Sequence, residues 1–409
     1  MALIVKKFGG SSVATPEKIR AVASRVLNEQ KTGDKTIVVV SAMGDTTDDL
    51  VTLAKEITGT IDQIYNREMD MLLTTGEQVS IALLAMAFQK LGHPAVSFTG
   101  SQAGIATNEI HCKAKIIGID PVKVFNELEA GKIVVVAGFQ GLTDKGEITT
   151  LGRGGSDTTA VALAAVLKAD HCEIYTDVDG IYSTDPRMVP SARRMKEITY
   201  NEMLEMARLG AGVMHPRSVE LGKHYGIPIH VRSTFVQEPG TFIREEYTME
   251  EKEFVIRGVT HDTNVAKIAI LGVPDIPGIA YKIFSVLANS NIDVDMIVQS
   301  IRSSEKNIID MVFTIAKSDV SQAKVIMDQL GKKMEFNGIL IEENVAKVSV
   351  VGAGMLGNPG IAATTFGALA EAGINIGVIS TSEISISCLI QEDKVKEAVN
   401  AIHARFFPK

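Results

Sequence analysis

The sequence predicts an α/β protein in which a mostly parallel sheet lies between helix layers and is followed by two small ferredoxin-like units. Three observations carry that prediction. Residues 1–230 alternate short β-branched runs with amphipathic stretches, the pattern of strand–helix crossovers in a parallel sheet. Residues 235–260 change character, with a Pro239-Gly240 turn and a charge-rich stretch from Glu245 onward, which reads as a boundary. The last third then repeats itself, Pro277-Gly278-Ile279 returning 82 residues later as Pro359-Gly360-Ile361.

Strands are expected at 2–6, 36–40, 95–98, 133–137, 172–176 and 228–231. Three of these are almost continuously apolar, as strands covered on both faces must be. Between them, Thr15-Pro16-Glu17 supplies an N-cap, a first-position proline and a first-turn acid, the chemistry of a helix start. Ile19, Val22, Ala23, Val26 and Leu27 then share one helical face. Gly92 and Pro94 end a second, apolar helix containing 81–88, and a third is expected at 158–167. In the C-terminal third, Val265-Ala266-Lys267 recurs as Val345-Ala346-Lys347, and Ile292-Asp293-Val294 matches Ile374-Asn375-Ile376. Each copy reads strand, Pro-Gly loop, helix, strand, hairpin, strand, helix, the β-α-β-β-α-β order. The domains are therefore placed at 1–245, 264–335 and 345–409.

Composition narrows the function. The 409 residues are 45% apolar and 22% charged, with a net charge of −8; this argues against broad nucleic-acid or membrane-surface binding. Cys112, Cys172 and Cys388 have no metal-type spacing and read as reduced thiols of a cytoplasmic protein. The apolar stretch at 81–88 is well short of the roughly 20 residues of a membrane span. Lys6 and Lys7 come too early for a secretory leader.

Two glycine turns dominate the motifs: Lys7-Phe8-Gly9-Gly10-Ser11-Ser12 and Gly152-Arg153-Gly154-Gly155-Ser156-Asp157, each between a strand-like and a helix-like segment. Glycines there let backbone approach an anion at a helix N-terminus, and Lys7 and Arg153 add cationic groups. The same residues also fit tight turns with solvated side chains. No GxxxxGK[ST] is present, so neither is a P-loop. Ser41-Ala42-Met43-Gly44 with Thr47 follows the second strand, Thr75-Gly76-Glu77 lies near the start of the apolar helix, and Thr176 to Tyr182 with Asp185-Pro186-Arg187 follows a strand end. Strand C-terminal ends are where parallel sheets bind ligands. Gly352-Ala353-Gly354-Met355-Leu356-Gly357 matches a dinucleotide fingerprint, but too little chain follows for such a domain, and repeat geometry is the better account of its glycines. His215 has no partner at metal spacing and reads as structural.

In order and spacing these motifs resemble those of the aspartokinases, members of the amino-acid kinase family with two C-terminal ACT domains. The resemblance covers essentially the whole chain and implies the amino-acid kinase fold. It further implies ATP-dependent phosphorylation of the L-aspartate β-carboxylate, feedback-regulated and at the head of lysine, threonine, methionine and diaminopimelate synthesis. The alternative is a catalytically silent amino-acid sensor that keeps the fold. By resemblance, Lys7, Arg153 and Asp157 are catalytic. Lys7, Phe8, Gly9, Gly10, Ser41, Ser156, Thr176, Asp177, Tyr182, Asp185, Pro186 and Arg187 face ATP, with Mg²⁺ held mainly through the nucleotide and no protein metal site. Ser41, Thr47, Glu77, Arg153, Gly154, Gly155 and Ser156 face aspartate. Many relatives carry a lysine where this chain has Gly212; Lys7, Arg187 and Lys223 are candidates to replace it.

The ACT pair implies an effector, lysine or threonine or both, near Asp275, Asp293, Val294, Asp295, Gln299, Gly360, Ile361, Asn375, Ile376, Ser382 and Glu383. It also implies a homo-oligomer joined through these domains. Met249 is a candidate internal start for a regulatory fragment.

Overall fold

The computed structural model describes residues 2–59, 66–246, 255–303, 308–334, 336–355 and 358–408. Met249 lies outside them. The chain divides into two compact units: Met1–Ile181 with Arg194–Ala207 and Gly212–Glu251, and Tyr182–Arg193 with Arg208–Ala211 and Lys252–Lys409.

The first unit runs β1 (Leu3–Phe8), α1 (Pro16–Glu29), β2 (Lys35–Val40), α2 (Thr46–Thr58), α3 (Asn66–Lys90), β3 (Ala95–Phe98), β4 (Ile105–Thr107), β5 (Ile116–Ile119), α4 (Val122–Glu129), β6 (Ile133–Ala137), β7 (Gln140–Leu142), β8 (Ile148–Thr150), α5 (Gly155–Val166), β9 (His171–Thr176), β10 (Glu197–Thr199), α6 (Tyr200–Arg208), α7 (Pro216–Tyr225), β11 (Ile229–Ser233) and β12 (Thr241–Arg244). Eight strands form one sheet in the order β10-β12-β11-β9-β1-β2-β6-β3. Only the β11–β12 pair in it is antiparallel. All six strands expected from sequence are in this sheet. The four-stranded sheet β5-β4-β7-β8 was not expected, because its strands are three or four residues long and too short to show a period.

Alternation along β1 divides the sheet's two faces. Phe8, Val38, Val40, Ile133, Val135 and Ala137 pack with Ile19, Val22, Ala23 and Val26 of α1 and Ile81, Leu84, Ala85 and Phe88 of α3. The intervening Val5, Ile37, Val39, Val134 and Val136 are also fully buried and face the side of α5. Thr15 caps α1, accepting from the Lys18 backbone N–H at 3.3 Å. α3 is 25 residues long, and by length and composition it is apolar enough to cross a membrane, which corrects the shorter stretch read from sequence. Here it is a core helix, burying Asp70 and Glu77 among its apolar residues.

The second unit contains β13 (Gly258–Pro274), α8 (Ile279–Asn289), β14 (Ile297–Ser303), β15 (Ile308–Ile315), α9 (Val320–Met334), β16 (Gly338–Val351), α10 (Ile361–Glu371), β17 (Val378–Thr381), β18 (Ser385–Gln391) and α11 (Val395–Phe406). One sheet runs through both repeats in the order β14-β15-β13-β16-β18-β17. The two long strands exchange halves. Gly258 to Asp262 of β13 pair with Val351 to Lys347 of β16, beside β18. Lys267 to Leu271 pair with Glu342 to Gly338, and residues from Ala266 onward pair with β15. The second repeat thus takes its fourth strand from chain that precedes the first. Its core includes Ile256 and Val259 beside Val348, Leu369 and Ile402.

This exchange also explains two of the fingerprint-like glycines, Gly352 and Gly354; Gly357 lies outside the described residues. A Cβ on Gly352 would come within 2.2 Å of the Val255 carbonyl oxygen, and one on Gly354 within 2.8 Å of the Val255 Cα. Close passage of the exchanged segment, and not the repeat itself, requires them. The segment 182–193 is built into this unit: Ser183 Oγ lies 2.9 Å from His403 Nε2, and Asn400 donates to the Met188 carbonyl at 3.3 Å.

Candidate functional site

The C-terminal ends of β1, β2, β6 and β9 lie side by side in the first unit because these strands are parallel. Lys7 and its neighbour Lys6 leave β1 on opposite faces. Lys6 enters a buried cluster on the α1 side, 2.8 Å from both Glu29 and Glu173, with the Tyr175 hydroxyl and Arg232 closing the network. Burial alone would raise the Glu173 pKa. Hydrogen bonding from His171 and the nearby charge of Lys6 outweigh it and hold the carboxyl far below its ordinary range. Lys7 turns to the α5 side, where its Nζ lies 2.6 Å from Asp157 Oδ1, both side chains mostly buried.

The turn after Lys7 is closely fitted. The Gly10 carbonyl accepts from the Gly44 N–H at 3.0 Å, and a Cβ on Gly10 would sit 2.8 Å from the Gly44 carbonyl oxygen. This joins the first glycine turn to the loop carrying Ser41. Ser41 Oγ in turn donates to Ser156 Oγ at 3.0 Å. A Cβ on Gly138 would meet the Ser156 side chain at 2.6 Å, so a bare backbone at the end of β6 makes room for Ser156.

The second glycine turn sets the start of α5. Gly152 and Gly154 have φ of +74° and +67°, and the helix begins at Gly155, three residues before the expected start. Ser156 and Asp157 therefore occupy its first turn. Arg153 projects between the two glycines, exposed and without an ion pair among the described residues. Above it, a Cβ on Gly154 would collide with the His215 side chain at 2.2 Å. His215 caps α7 through Nδ1, accepting from the Arg217 N–H at 3.3 Å, and burial with the Arg217 charge holds its imidazole below the usual histidine range.

Glu77 lies in the interior of α3 and not near its start, because the helix begins at Asn66. Its carboxylate is 2% exposed. Oε1 accepts from the Ala42 N–H at 3.1 Å, and Oε2 has no hydrogen-bond partner among the described residues. Burial pushes its pKa up to about 7, against the lowering pull of backbone N–H groups. Gly76 permits this approach, since a Cβ there would be 2.8 Å from the Ala42 Cβ. On the same helix, fully buried Asp70 accepts from Thr150 Oγ1 at 2.5 Å and from the Cys112 N–H at 3.1 Å.

The structure thus brings Lys7, Gly10, Ser41, Ser156 and Asp157 into one chain of contacts, with Glu77 joined to it through Ala42. Thr47 lies in the first turn of α2. Thr176 ends β9 and donates to Asp177 at 2.9 Å. Tyr182, Asp185, Pro186 and Arg187 belong to the second unit, where Asp185 and Arg187 pair with each other at 2.8 Å. Lys223 donates to Asn201 at 2.7 Å. Gly212 is exposed, and a Cβ there meets nothing within 4 Å. Sequence reasoning missed Ala42, Gly138 and Asp70. No side-chain signal marks a backbone donor or a spacer glycine, and a lone aspartate in an apolar helix was the only available sign of Asp70.

Comparison with known proteins fits this geometry. Residues 2–233 match the amino acid kinase family, and residues 268–329 and 348–406 match the ACT domain. An aspartokinase of Bacillus sp. (strain MGA3) is 50% identical over 406 residues, covering 99% of this chain and 97% of its own. The chain belongs to the aspartokinase family. It is accordingly a kinase acting on aspartate, with regulatory ACT domains. Two crystal structures of E. coli aspartokinase III show the same fold. One, with aspartate and ADP (R-state), has a TM-score of 0.83 at 26% identity, covering 99% of this chain and 100% of that one. The other, with lysine and aspartate (T-state), has a TM-score of 0.76 at 25% identity, covering 99% of both. The two ACT repeats start their first helices alike: Gly278 and Gly360, at φ of +89° and +104°, cap α8 and α10. A cavity of about 420 Å³ lies at the second loop, lined by Pro359, Gly360, Ile361, Thr364, Ile256 and Phe406.

Proposed function

We propose that the two glycine turns of the first unit divide the transfer of the ATP γ-phosphoryl group to the β-carboxylate of L-aspartate, giving 4-phospho-L-aspartate. The buried Glu77 carboxylate, with one unpartnered oxygen, carries this reading. A carboxyl in that position needs a cation to stay ionised near neutrality, and the ammonium group of an amino acid is the right size and charge. Arg153, a planar fork free of ion pairs among the described residues, suits the substrate α-carboxylate. Gly154, Gly155 and Ser156 complete that side with the first N–H groups of α5, and Ser41 and Thr47 flank it.

Lys7 and the Gly9-Gly10 backbone form the phosphate side. The acceptor carboxylate, of pKa about 4, is already ionised, so no general base is required. Catalysis consists of aligning two anions and offsetting their repulsion. Lys7 does the second, held toward the junction by Asp157. Among the described residues no group of three or more His, Cys, Asp or Glu converges on a metal position, and Mg²⁺ would be bound through the nucleotide phosphates, adding charge neutralisation there. Thr176 and Asp177, at the end of β9, remain the proposed nucleotide contacts of this unit.

The regulatory part of the proposal assigns 264–335 and 345–409 as effector-binding domains after a catalytic domain at 1–245. The effector is lysine, threonine or both, and the chain forms a homo-oligomer in the cytoplasm. The lysine complex of the E. coli relative supports lysine. Exposed Asp275, Asp293, Gln299, Asn375 and Glu383 are available to an effector; Asp295 pairs with Lys347. The decisive assay is ATP turnover with L-aspartate, L-glutamate or no acceptor, trapping the acyl phosphate with hydroxylamine. Aspartyl hydroxamate alone is expected. Its absence would leave the silent-sensor alternative.

A further inference from the structure

Arg217 lies on α7, outside every motif assigned above, yet it grips the strand that leads into the second glycine turn. Its Nη1 donates to the Leu151 carbonyl at 2.6 Å and its Nη2 to the Ala114 carbonyl at 3.0 Å. Ala114 is itself tied to this strand, its N–H donating to the Thr150 carbonyl at 2.9 Å. Leu151 is fully buried and donates its own N–H to the Phe139 carbonyl at 2.8 Å. It is therefore fixed on both sides, one residue before Gly152.

The turn needs such an external anchor. Gly152 and Gly154, which bracket Arg153, carry no side chain and leave the backbone the widest choice of conformation. What fixes the direction of Arg153 is the register of Leu151 at one end, the start of α5 at the other, and the His215 side chain packed on Gly154. Arg217 is also half-buried without a carboxylate partner among the described residues, and burial lowers its pKa from the ordinary arginine value. A buried cation held only by carbonyls is costly; here the carbonyls it holds set the geometry of the turn. Two parallel donors in a rigid fork can register two carbonyls at once, which an ammonium cannot.

We propose that Arg217 is a positioning residue for aspartate, holding Leu151 and Ala114 so that Arg153 is presented in the geometry that binds the substrate carboxylate. This rests on the reading of Gly152–Asp157 as the aspartate clamp. It predicts a selective defect: the aspartate side loosens and the nucleotide side, built on Lys7, does not.

The test compares Arg217→Met, Arg217→Lys and Arg153→Ala in the full-length enzyme. Methionine keeps the apolar stem, and the side chain borders a groove of about 830 Å³, so overpacking is not introduced. Expected are an aspartate KM raised roughly tenfold or more in Arg217→Met, an intermediate value in Arg217→Lys, and kcat and ADP affinity within about threefold of the unmodified chain. A merely structural role would instead lower melting temperature and weaken ADP and aspartate together; that pattern in Arg217→Lys, or an unchanged aspartate KM in folded Arg217→Met, overturns the proposal. If Arg153→Ala leaves aspartate KM unchanged, the clamp reading itself fails and the positioning role falls with it. If Arg153→Ala raises it and Arg217→Met does not, only the positioning role fails.

Discussion

The two glycine turns are built alike and held differently. Each joins a strand to a helical turn and carries one cationic side chain. Lys7 sits at the end of a strand inside an eight-stranded sheet and is already paired with Asp157. Arg153 stands on a loop between two positive-φ glycines with no ion partner among the described residues. The difference teaches how one site can treat two anions unequally. A cation on a rigid strand, with a carboxylate fixing its direction, is preorganised for charge that develops on a transferring group. A cation left unpaired on a pliant turn is suited to ground-state binding, where its partner arrives with the substrate.

The contrast can be broken at either end. Lys7→Met should give the largest effect, a fall in kcat of roughly a thousandfold with aspartate KM little changed; turnover within about tenfold would place the phosphate cation elsewhere. Glu77→Gln comes next. It should raise aspartate KM by roughly a hundredfold, the size of a lost charge-assisted bond. In the unmodified enzyme aspartate KM should fall as pH rises through about 7, because only ionised Glu77 holds an ammonium group. A flat aspartate KM across that range would sever Glu77 from the amine. Arg153→Ala should raise aspartate KM by roughly tenfold to a hundredfold with ATP KM unchanged.

Glu77 also makes a stability prediction whose sign is fixed. Its pKa rises on folding from the ordinary 4.5 to about 7, so the folded state binds the proton more tightly. Stability is therefore lost as pH rises through that interval. Without aspartate, Glu77→Gln should melt higher than the unmodified chain above pH 7 and lose that advantage below about pH 4.5; equal melting at both would mean the carboxylate is not strained in the empty site. The smallest effect belongs to Gly212→Lys. The position is open, so a lysine fits, and kcat should rise roughly twofold to tenfold if a phosphate contact is missing. No gain would mean that no phosphate contact is missing at this position.

Much of this arrangement was legible because it rests on local chemistry. The six expected strands announce themselves as short, largely apolar runs, most of them β-branched, and Thr15-Pro16-Glu17 starts α1 as its residue types require. Lys7 and Arg153 stand out because glycines surround them. What stayed hidden depends on distant partners. The start of α5 moved because Gly152 and Gly154 adopt positive φ only in this tertiary setting. Glu77 looked like a first-turn acid because α3 begins upstream of its apolar stretch. The sequence does not show where Lys6 goes; strand alternation sends it to a structural ion cluster and Lys7 to the candidate site. The strand exchange between the ACT repeats left no trace in the repeat pattern, since the exchanged Gly258 to Asp262 is mostly polar and lies upstream of the first repeated segment, Val265-Ala266-Lys267.

That exchange sets a rule for dissecting the chain. A regulatory piece cut at residue 264 would contain every residue of both repeats and still lack Gly258 to Asp262, leaving Lys347 to Val351 as a bare sheet edge and removing Ile256 and Val259 from a core that includes Ile402. Bare edges of that kind recruit other chains. A piece beginning upstream of Val255 would keep its own closing strand. Where translation or an engineer starts the regulatory half therefore decides whether it closes on itself or seeks its missing strand in a neighbour.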